Sequence, residues 1–358
     1  MNIAFLHRDI WPLHEGSSIQ SWELFRRLQK HHSLLTLNTC PFPRAKHAYG
    51  NIREAGTFLN RIDAIFIIVD GPYYFFEEKF SFLPTLLGRN VPVVWLLNAP
   101  LEEALQSDHL KKMRYPIDRI LRRISSSLVT TCICVSDVLA SYAKRNLLAK
   151  HYEVIPNGSD ITYFRPTVPS GHSRSERKFR VVWAGSGQYR WQALDIISKA
   201  AAIMIKRDAD VVFDLYTDMS WYPIPHLPNI RMHGTKNHSS LRAIFDGADV
   251  ALCLYHDVTG QGFYNSPLKL FDAMAAGVPV IATDIGQMRT VLRETRSGFL
   301  TTNDPHAIVR IIKQVKRNPL AAHRIGQRAR QSVASFYNWD RMARDIERVI
   351  VRTVALGT

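Results

Sequence analysis

Short, near-continuous apolar runs recur along this chain, separated by stretches of helical period. In the first half they are NIAFLH from Asn2, LLTLN from Leu34, AIFIIV from Ala64, VPVVWLL from Val91, CICVS from Cys132 and YEVIP from Tyr152. A strand that is apolar at successive positions is covered on both faces. Strands of this kind alternating with helices form a parallel sheet with helices on either side. The first intervening helix is read from Ile19 to Leu28.

The pattern breaks once. RPTVPSGHSRSERK, from Arg165 to Lys178, is rich in Pro, Ser, Gly and charge and has no apolar period, as a linker does. It then restarts with FRVVWAG from Phe179, a helix from Trp191 to Ile205, and the strands VVFDLYT from Val211, IRMHG from Ile230, VALCLY from Val250 and VPVIATD from Val278. A chain of 358 residues is long for one domain and comfortable for two αβα units. The boundaries read are 1–165, a linker at 166–178, 179–336, and a final helix in 337–358. That helix has apolar residues at Trp339, Met342, Ala343, Ile346, Val349, Ile350 and Val354, the spacing of one buried face.

The N-terminus runs directly into a strand and has no signal-peptide pattern. No apolar stretch reaches the ~20 residues that span a bilayer. Cys40, Cys132, Cys134 and Cys253 fit no zinc spacing and are read as reduced thiols, with Cys132 and Cys134 on one side of a strand. These features point to a cytoplasmic protein. The formal charge of +15 admits nucleic acid, an anionic membrane or an anionic substrate as partner. No nucleic-acid module is visible and the charge is spread over both halves, so nucleic acid is not favoured.

One segment carries chemistry by its local sequence. In SPLKLFDAMAAG, Ser266 suits an N-cap, Pro267 the first helical position, and Gly277 with Pro279 a stop. A helix N-terminus presents unpaired N–H groups and partial positive charge, which favour an anion. Lys269 adds a full charge in the first turn. Asp272, three residues on, shares its face and suits ribose hydroxyls. Cation and carboxylate together fit a nucleoside diphosphate; a capped surface helix with an ion pair is the alternative.

Several motifs, in order, resemble the retaining glycosyltransferases of family 4 (group 1). VIPNGSDITYFRP (154–166) is similar to that family's interdomain signature. GTKNHSSLRAIFDGADVALCLY (234–255) is similar to the stretch before its donor site. SPLKLFDAMAAGVPVIATDIGQMRTVL (266–292) resembles its donor-binding helix with the strand and turn after it. FYNWDRMA (336–343) resembles the start of its last helix, and VVWLLNAPLEE (93–103) a strand segment found in part of the family. The resemblance spans nearly the whole chain. It implies the GT-B fold: two Rossmann-like α/β domains facing a cleft, with the last helix crossing back to the first.

It further implies that a UDP- or GDP-sugar is the co-substrate, with no other cofactor and no metal. It implies a hexosyl-type transfer to a glycan, lipid-linked or small-molecule acceptor in cell-surface polysaccharide or glycoconjugate synthesis. Lys269 and Arg190 would stabilise the leaving diphosphate. Gly16, Gly185, Leu268, Ser266, Tyr264, Asn265 and Asp272 would line the donor site. Asn98 and His14 would lie toward the sugar or acceptor. Two departures stand out. The first of the family's two spaced glutamates falls at Tyr264 and the second at Asp272; a strand-end histidine is replaced by Asn98.

Other features are read with two meanings. Lys111, Lys112, Arg114, Arg119, Arg122 and Arg123, interleaved with Met113, Tyr115, Ile117, Ile120, Leu121 and Ile124, suit either an anionic membrane surface or a solvated helix face. His7, His14 and Glu15 are loop or ligand contacts. Glu102 and Glu103 are acceptor contacts or helix-start charges. Asp284 is a site or a turn residue. Tyr73 to Phe76 are core or acceptor platform. The turn at Gly185–Gly187 begins like a dinucleotide fingerprint, but Arg190 occupies its third glycine position, which counts against a dehydrogenase. A GT-B sugar-nucleotide epimerase remains the nearest rival.

Overall fold

The computed structural model describes residues 1–7, 16–37, 47–49, 56–70, 78–106, 109–166, 177–258 and 262–357. Two compact units divide the chain. The first comprises Met1–Asn157, Tyr264–Ser266 and Trp339–Thr358; the second comprises Gly158–Phe263 and Pro267–Asn338.

In the first unit the order is β1 (Asn2–Leu6), α1 (Gly16–Leu28), β2 (Ser33–Leu37), β3 (His47–Tyr49), α2 (Gly56–Leu59), β4 (Ala64–Val69), α3 (Leu83–Leu86), β5 (Val93–Leu97), α4 (His109–Ser126), β6 (Thr131–Cys134), α5 (Asp137–Asn146) and β7 (His151–Val154). Short 3-10 turns occupy Glu78–Phe82 and Leu101–Gln106. All seven strands are parallel, in the order β3-β2-β1-β4-β5-β6-β7. β1 is paired on both edges: Ile3 lies opposite Leu34 on one side and Ala64 on the other. β4 and β5 are buried at every position, which is why they read as unbroken apolar runs.

The second unit repeats the plan with β8 (Phe179–Ala184), α6 (Leu194–Ile205), β9 (Val211–Tyr216), β10 (Ile230–Met232), α7 (His238–Asp246), β11 (Val250–Cys253), α8 (Leu268–Ala275), β12 (Val280–Thr283), α9 (Gly286–Thr295), β13 (Phe299–Thr301), α10 (Pro305–Arg317) and α11 (Pro319–Phe336). Its six parallel strands run β10-β9-β8-β11-β12-β13. In both sheets the strand order reverses once, beside β1 and β4 in one and beside β8 and β11 in the other. Crevices at the carboxyl ends of such strand pairs are where open α/β sheets bind ligands.

The last helix, α12 (Trp339–Gly357), belongs to the first unit and packs on α1. It buries Trp339, Met342, Ala343, Ile346, Val349 and Ile350. Burial of the larger of these side chains stabilises by roughly 1.5–3 kcal/mol each. At the polar margin Arg27 Nε donates to Asp340 Oδ1 at 2.6 Å, and Glu347 sits between His31 and His32.

Several boundaries differ from the sequence reading. The units part at Asn157/Gly158 rather than near residue 165, because Phe164 is fully buried in the second unit's core and Arg330 holds the carbonyls of Ile161 and Phe164. Most of the linker read at 166–178 lies outside the described residues. α6 starts at Leu194, not Trp191, since Trp191 stacks on Tyr189 at 4.3 Å in the preceding turn. The strands β3 and β13, three residues each, have no counterpart in the sequence reading. Cys132 and Cys134 are buried on one side of β6, with their sulfurs 4.0 Å apart and unbridged.

Candidate active site

In the second unit the chemistry gathers where β8 and β11 end. α8 is anchored from beneath by Leu270, Phe271, Ala273, Met274 and Ala275, all buried, and ends at Gly277 with φ 73°. Its N-cap is Pro267 and its first residue Leu268, one position later than the sequence suggested. Ser266 is not the cap. Its Oγ accepts from the Asn157 amide at 3.1 Å and its carbonyl accepts from Asn157 Nδ2 at 2.8 Å, both within the first unit. Proline has no N–H and no hydrogen-bonding side chain, so nothing caps α8. The amides of Leu268 and Lys269 therefore have no acceptor within the helix.

Lys269 lies in that first turn. Its ammonium rests 4.3 Å from the Trp183 ring and 5.3 Å from that of Tyr255, and donates to Gln192 Oε1 at 3.0 Å. No carboxylate among the described residues forms an ion pair with it. Burial therefore dominates and brings its pKa down to about 8. The residue as a whole keeps some exposed surface; the depression belongs to the ammonium, which is enclosed by aromatic rings. The neighbouring Cys253 thiol is pushed up to about 12, also by burial, and Tyr255 is raised well above its ordinary value. A cation held out of water without a counter-charge, beside free helix amides, is an electrostatically incomplete site that an anion completes.

Gly185 closes this corner. A Cβ there would lie 2.5 Å from Lys269 Nζ and 3.5 Å from the Trp183 ring. Glycine is needed so that the ammonium can occupy its place. Arg190 is exposed and makes no hydrogen bond or ion pair with a described residue. Gln192, two positions on, is the residue of this turn that holds Lys269, and the sequence reading does not single it out. Asp272 is buried, and Ser159 Oγ donates to its Oδ1 at 2.6 Å. Aspartate is one methylene shorter than glutamate, and here its carboxylate is turned to Ser159.

In the first unit a chain of buried polar groups runs across the carboxyl ends of β1, β4 and β5. Ser21 Oγ lies 2.7 Å from His7 Nδ1, and His7 Nε2 lies 3.0 Å from Asp70 Oδ2. Asn98 Nδ2 donates to Asp70 Oδ1 at 2.9 Å and to Gln20 Oε1 at 2.7 Å. Gln20 Nε2 donates to Asn98 Oδ1 and, at 2.6 Å, to Asn157 Oδ1. Asn157 continues the chain to Ser266. Asn98 is thus a fully engaged link. Of the chain's members, only Asn98, His7 and Ser266 are singled out by sequence.

Tyr264 and Asn265 also lie in the first unit. The Tyr264 ring meets Tyr142 edge-on at 5.5 Å, and its carbonyl accepts from Ser136 Oγ. Asn265 Nδ2 donates to Glu103 Oε1 at 2.9 Å. Burial raises the Glu103 carboxyl to about 7, against the pull of Asn265 and Arg122 and with a further push from Asp70. Glu102 accepts from Tyr115 OH at 3.0 Å.

The comparisons fall where this geometry points. Residues 178–318 match the family model of glycosyl transferases group 1. Over this stretch the chain is similar to the group 1 glycosyl transferases. A curated D-inositol 3-phosphate glycosyltransferase of Arthrobacter sp. (strain FB24) is 26% identical over 219 residues, 54% of this chain and 48% of that protein. The chain spans about half or less of the length of the curated relatives it matches. Among solved structures, sucrose-phosphate synthase from Thermosynechococcus elongatus superposes with a TM-score of 0.75 at 15% identity over 99% of both chains. Anabaena HepE in complex with UDP and glucose gives 0.72 at 14% identity, over 98% of this chain and 100% of that one. The fold is GT-B.

Within this fold the remaining sequence candidates are distributed as follows. Gly16 is the exposed first residue of α1. His14, Glu15 and Tyr73 to Phe76 lie outside the described residues. Asp284 is a surface ion-pair centre, accepting from Arg289 Nε at 2.9 Å and Arg293 Nη2 at 2.8 Å. Arg122 is not part of a solvated basic face. It is buried, pairs with Glu78 and donates to the Asp70 carbonyl at 2.9 Å. No cluster of three or more His, Cys, Asp or Glu with metal-binding geometry occurs among the described residues, and no helix among them is long and apolar enough to cross a membrane.

Proposed function

We propose that this chain is a glycosyltransferase that moves a sugar from a nucleoside-diphosphate sugar to a glycan, lipid-linked or small-molecule acceptor. The observation that carries this reading is the Lys269 ammonium, buried over Trp183 without a carboxylate partner among the described residues, at an uncapped helix N-terminus. The match to group 1 glycosyl transferases over the same residues supports it. So does the UDP and glucose bound by HepE, a neighbour in fold.

In this reading the diphosphate lies against the amides of Leu268 and Lys269, with Arg190 reaching it from solvent. Loss of the diphosphate leaves an oxocarbenium-like sugar. The developing negative charge on the leaving oxygen meets donors already in place, so little reorganisation is needed. At neutral pH a lysine with pKa about 8 is mostly protonated and can serve this role. Retention follows if the acceptor attacks from the side the diphosphate leaves, with a phosphate oxygen taking the acceptor proton. The sugar is UDP- or GDP-linked, and cell-surface glycan or glycoconjugate synthesis is the setting we infer.

The test is a panel of UDP-, GDP- and ADP-sugars, scored by thermal shift and by donor hydrolysis. At least one should stabilise the protein. Lys269→Ala should lower turnover by about 10²-fold or more, as loss of a single stabilising donor does elsewhere. Absence of any nucleotide binding, or near-normal turnover in this variant, refutes the reading.

A further inference from the structure

A surface helix of a water-soluble domain normally turns its apolar stripe inward and its charges outward. α4 does the reverse. Its inward positions are Asp118, Arg122, Ser125 and Ser126, all buried. They meet polar partners: Arg122 meets Glu78 and the Asp70 carbonyl, Ser125 the Leu121 carbonyl, Ser126 the Arg123 carbonyl and the Leu148 amide. Its outward positions are Met113 at 67% exposure, Ile117 at 59%, Ile120 at 60% and Ile124 at 50%. The spacings of four, three and four put these four side chains on one stripe.

Cations flank it. Lys112, Arg119 and Arg123 are exposed and lie about a quarter-turn to one side of the stripe. Lys112 and Arg119 pair with no carboxylate among the described residues. Arg123 spends one guanidinium nitrogen on the Asn146 carbonyl at 3.0 Å. The acidic member of this helix, Asp118, faces inward and accepts from Arg114 at 3.2 Å. The outward surface of α4 is thus apolar along its centre and positive along its edge, with no acidic residue of the helix on it.

We propose that α4 docks the protein on an anionic membrane surface, lying in the plane of the interface with Met113, Ile117, Ile120 and Ile124 among the acyl chains and Lys112, Arg119 and Arg123 at the headgroups. An apolar face alone would suit many occupants; the one-signed basic edge selects an anionic bilayer. The 18-residue helix is about 27 Å long, enough for several headgroups. The contact is peripheral. The proposal does not depend on the nucleotide site.

The test is flotation of the full chain with vesicles of phosphatidylcholine alone and of equal parts phosphatidylcholine and phosphatidylglycerol. The native chain should float only with the anionic vesicles. The triple variant Lys112→Gln, Arg119→Gln, Arg123→Gln should bind them on the order of a hundredfold more weakly. The double variant Ile117→Ser, Ile120→Ser should lose about tenfold or more. All five positions are exposed, and thermal melting of each variant checks that the fold is kept. Undiminished flotation of either variant overturns the proposal, as does equal flotation with phosphatidylcholine or no flotation at all. A dimer in sedimentation that Ile117→Ser, Ile120→Ser dissociates, with no vesicle binding, would assign the stripe to a second copy instead and also overturn it.

Discussion

The depressed pKa of Lys269 makes nucleotide binding a proton-uptake reaction in a definite pH window. In the free protein burial holds the ammonium at about 8 rather than its ordinary 10.5. A bound diphosphate supplies the missing counter-charge and returns the pKa toward the ordinary value. At pH 7 the free lysine is already about nine-tenths protonated, so binding takes up only about 0.1 proton. At pH 9 it is about one-tenth protonated, so binding takes up about 0.9 proton and the apparent Kd is about tenfold weaker than at pH 7. Other groups do not confuse the window. The Cys253 thiol sits near 12, Tyr255 is higher than usual, and a terminal phosphate titrates near 6. The same shift acts on the free protein. The unfolded chain keeps this proton to higher pH, so the cost of burying the charged lysine is relieved as pH rises from about 8 to about 10.5. The assay is titration calorimetry with UDP or GDP in pairs of buffers of unlike ionisation enthalpy, at pH 7 and pH 9. Buffer-dependent heat should be small at pH 7, large at pH 9, and absent at both in Lys269→Met. Equal heats in the two buffers at pH 9, with binding retained, would show that Lys269 does not meet the phosphates.

Three further outcomes rest on the same geometry. Gly185→Ala places a methyl 2.5 Å from Lys269 Nζ, so the ammonium must move; turnover should fall on the order of a hundredfold, as for ångström-scale misplacements elsewhere, and unchanged turnover would contradict the geometry. Asn265→Ala removes the hydrogen bond that favours the Glu103 carboxylate, so the carboxyl should titrate above its present value of about 7 in a carbon-detected NMR titration. Because that pKa is raised, the group's contribution to stability is present at low pH and lost as pH climbs from about 4.5 through 7; in the variant the loss should extend to higher pH, and an unshifted titration would refute the assignment. Phe164→Ala empties a fully buried site in the second unit's core and should cost about 3–5 kcal/mol in denaturant unfolding; a cost under about 1 kcal/mol would place the unit boundary after residue 164 rather than before it.

The legible and the hidden parts of this molecule differ for physical reasons. β4 and β5 can be read because they are buried on both faces, so neighbours hardly matter to the pattern. β3, β10 and β13 are three residues each, too short to show a period, and of these only β10 is read from sequence, within the segment IRMHG. Lys269 is legible because the features that single it out are local: one helix start, one turn, one stop. The cap is misassigned from sequence because Ser266 is claimed by Asn157, 109 residues away, and no local rule sees that bond. The polar chain from Ser21 to Asn157 is hidden for the same reason, since Gln20 meets a partner 137 residues distant. Its one sequence signal is position, as His7, Asp70 and Asn98 each come directly after a strand.

α4 sharpens the point. A helical period in the sequence says that two faces differ, but not which of them turns inward. The usual assumption puts the apolar face in the core, and here it fails because Arg122 finds Glu78 at a separation of 44 residues. A buried, paired arginine can hold the polar face in, which leaves the isoleucines outside. Apolar stripes left in water are costly unless something covers them. The inverted helix is therefore better explained by a surface it meets than by the core it lines.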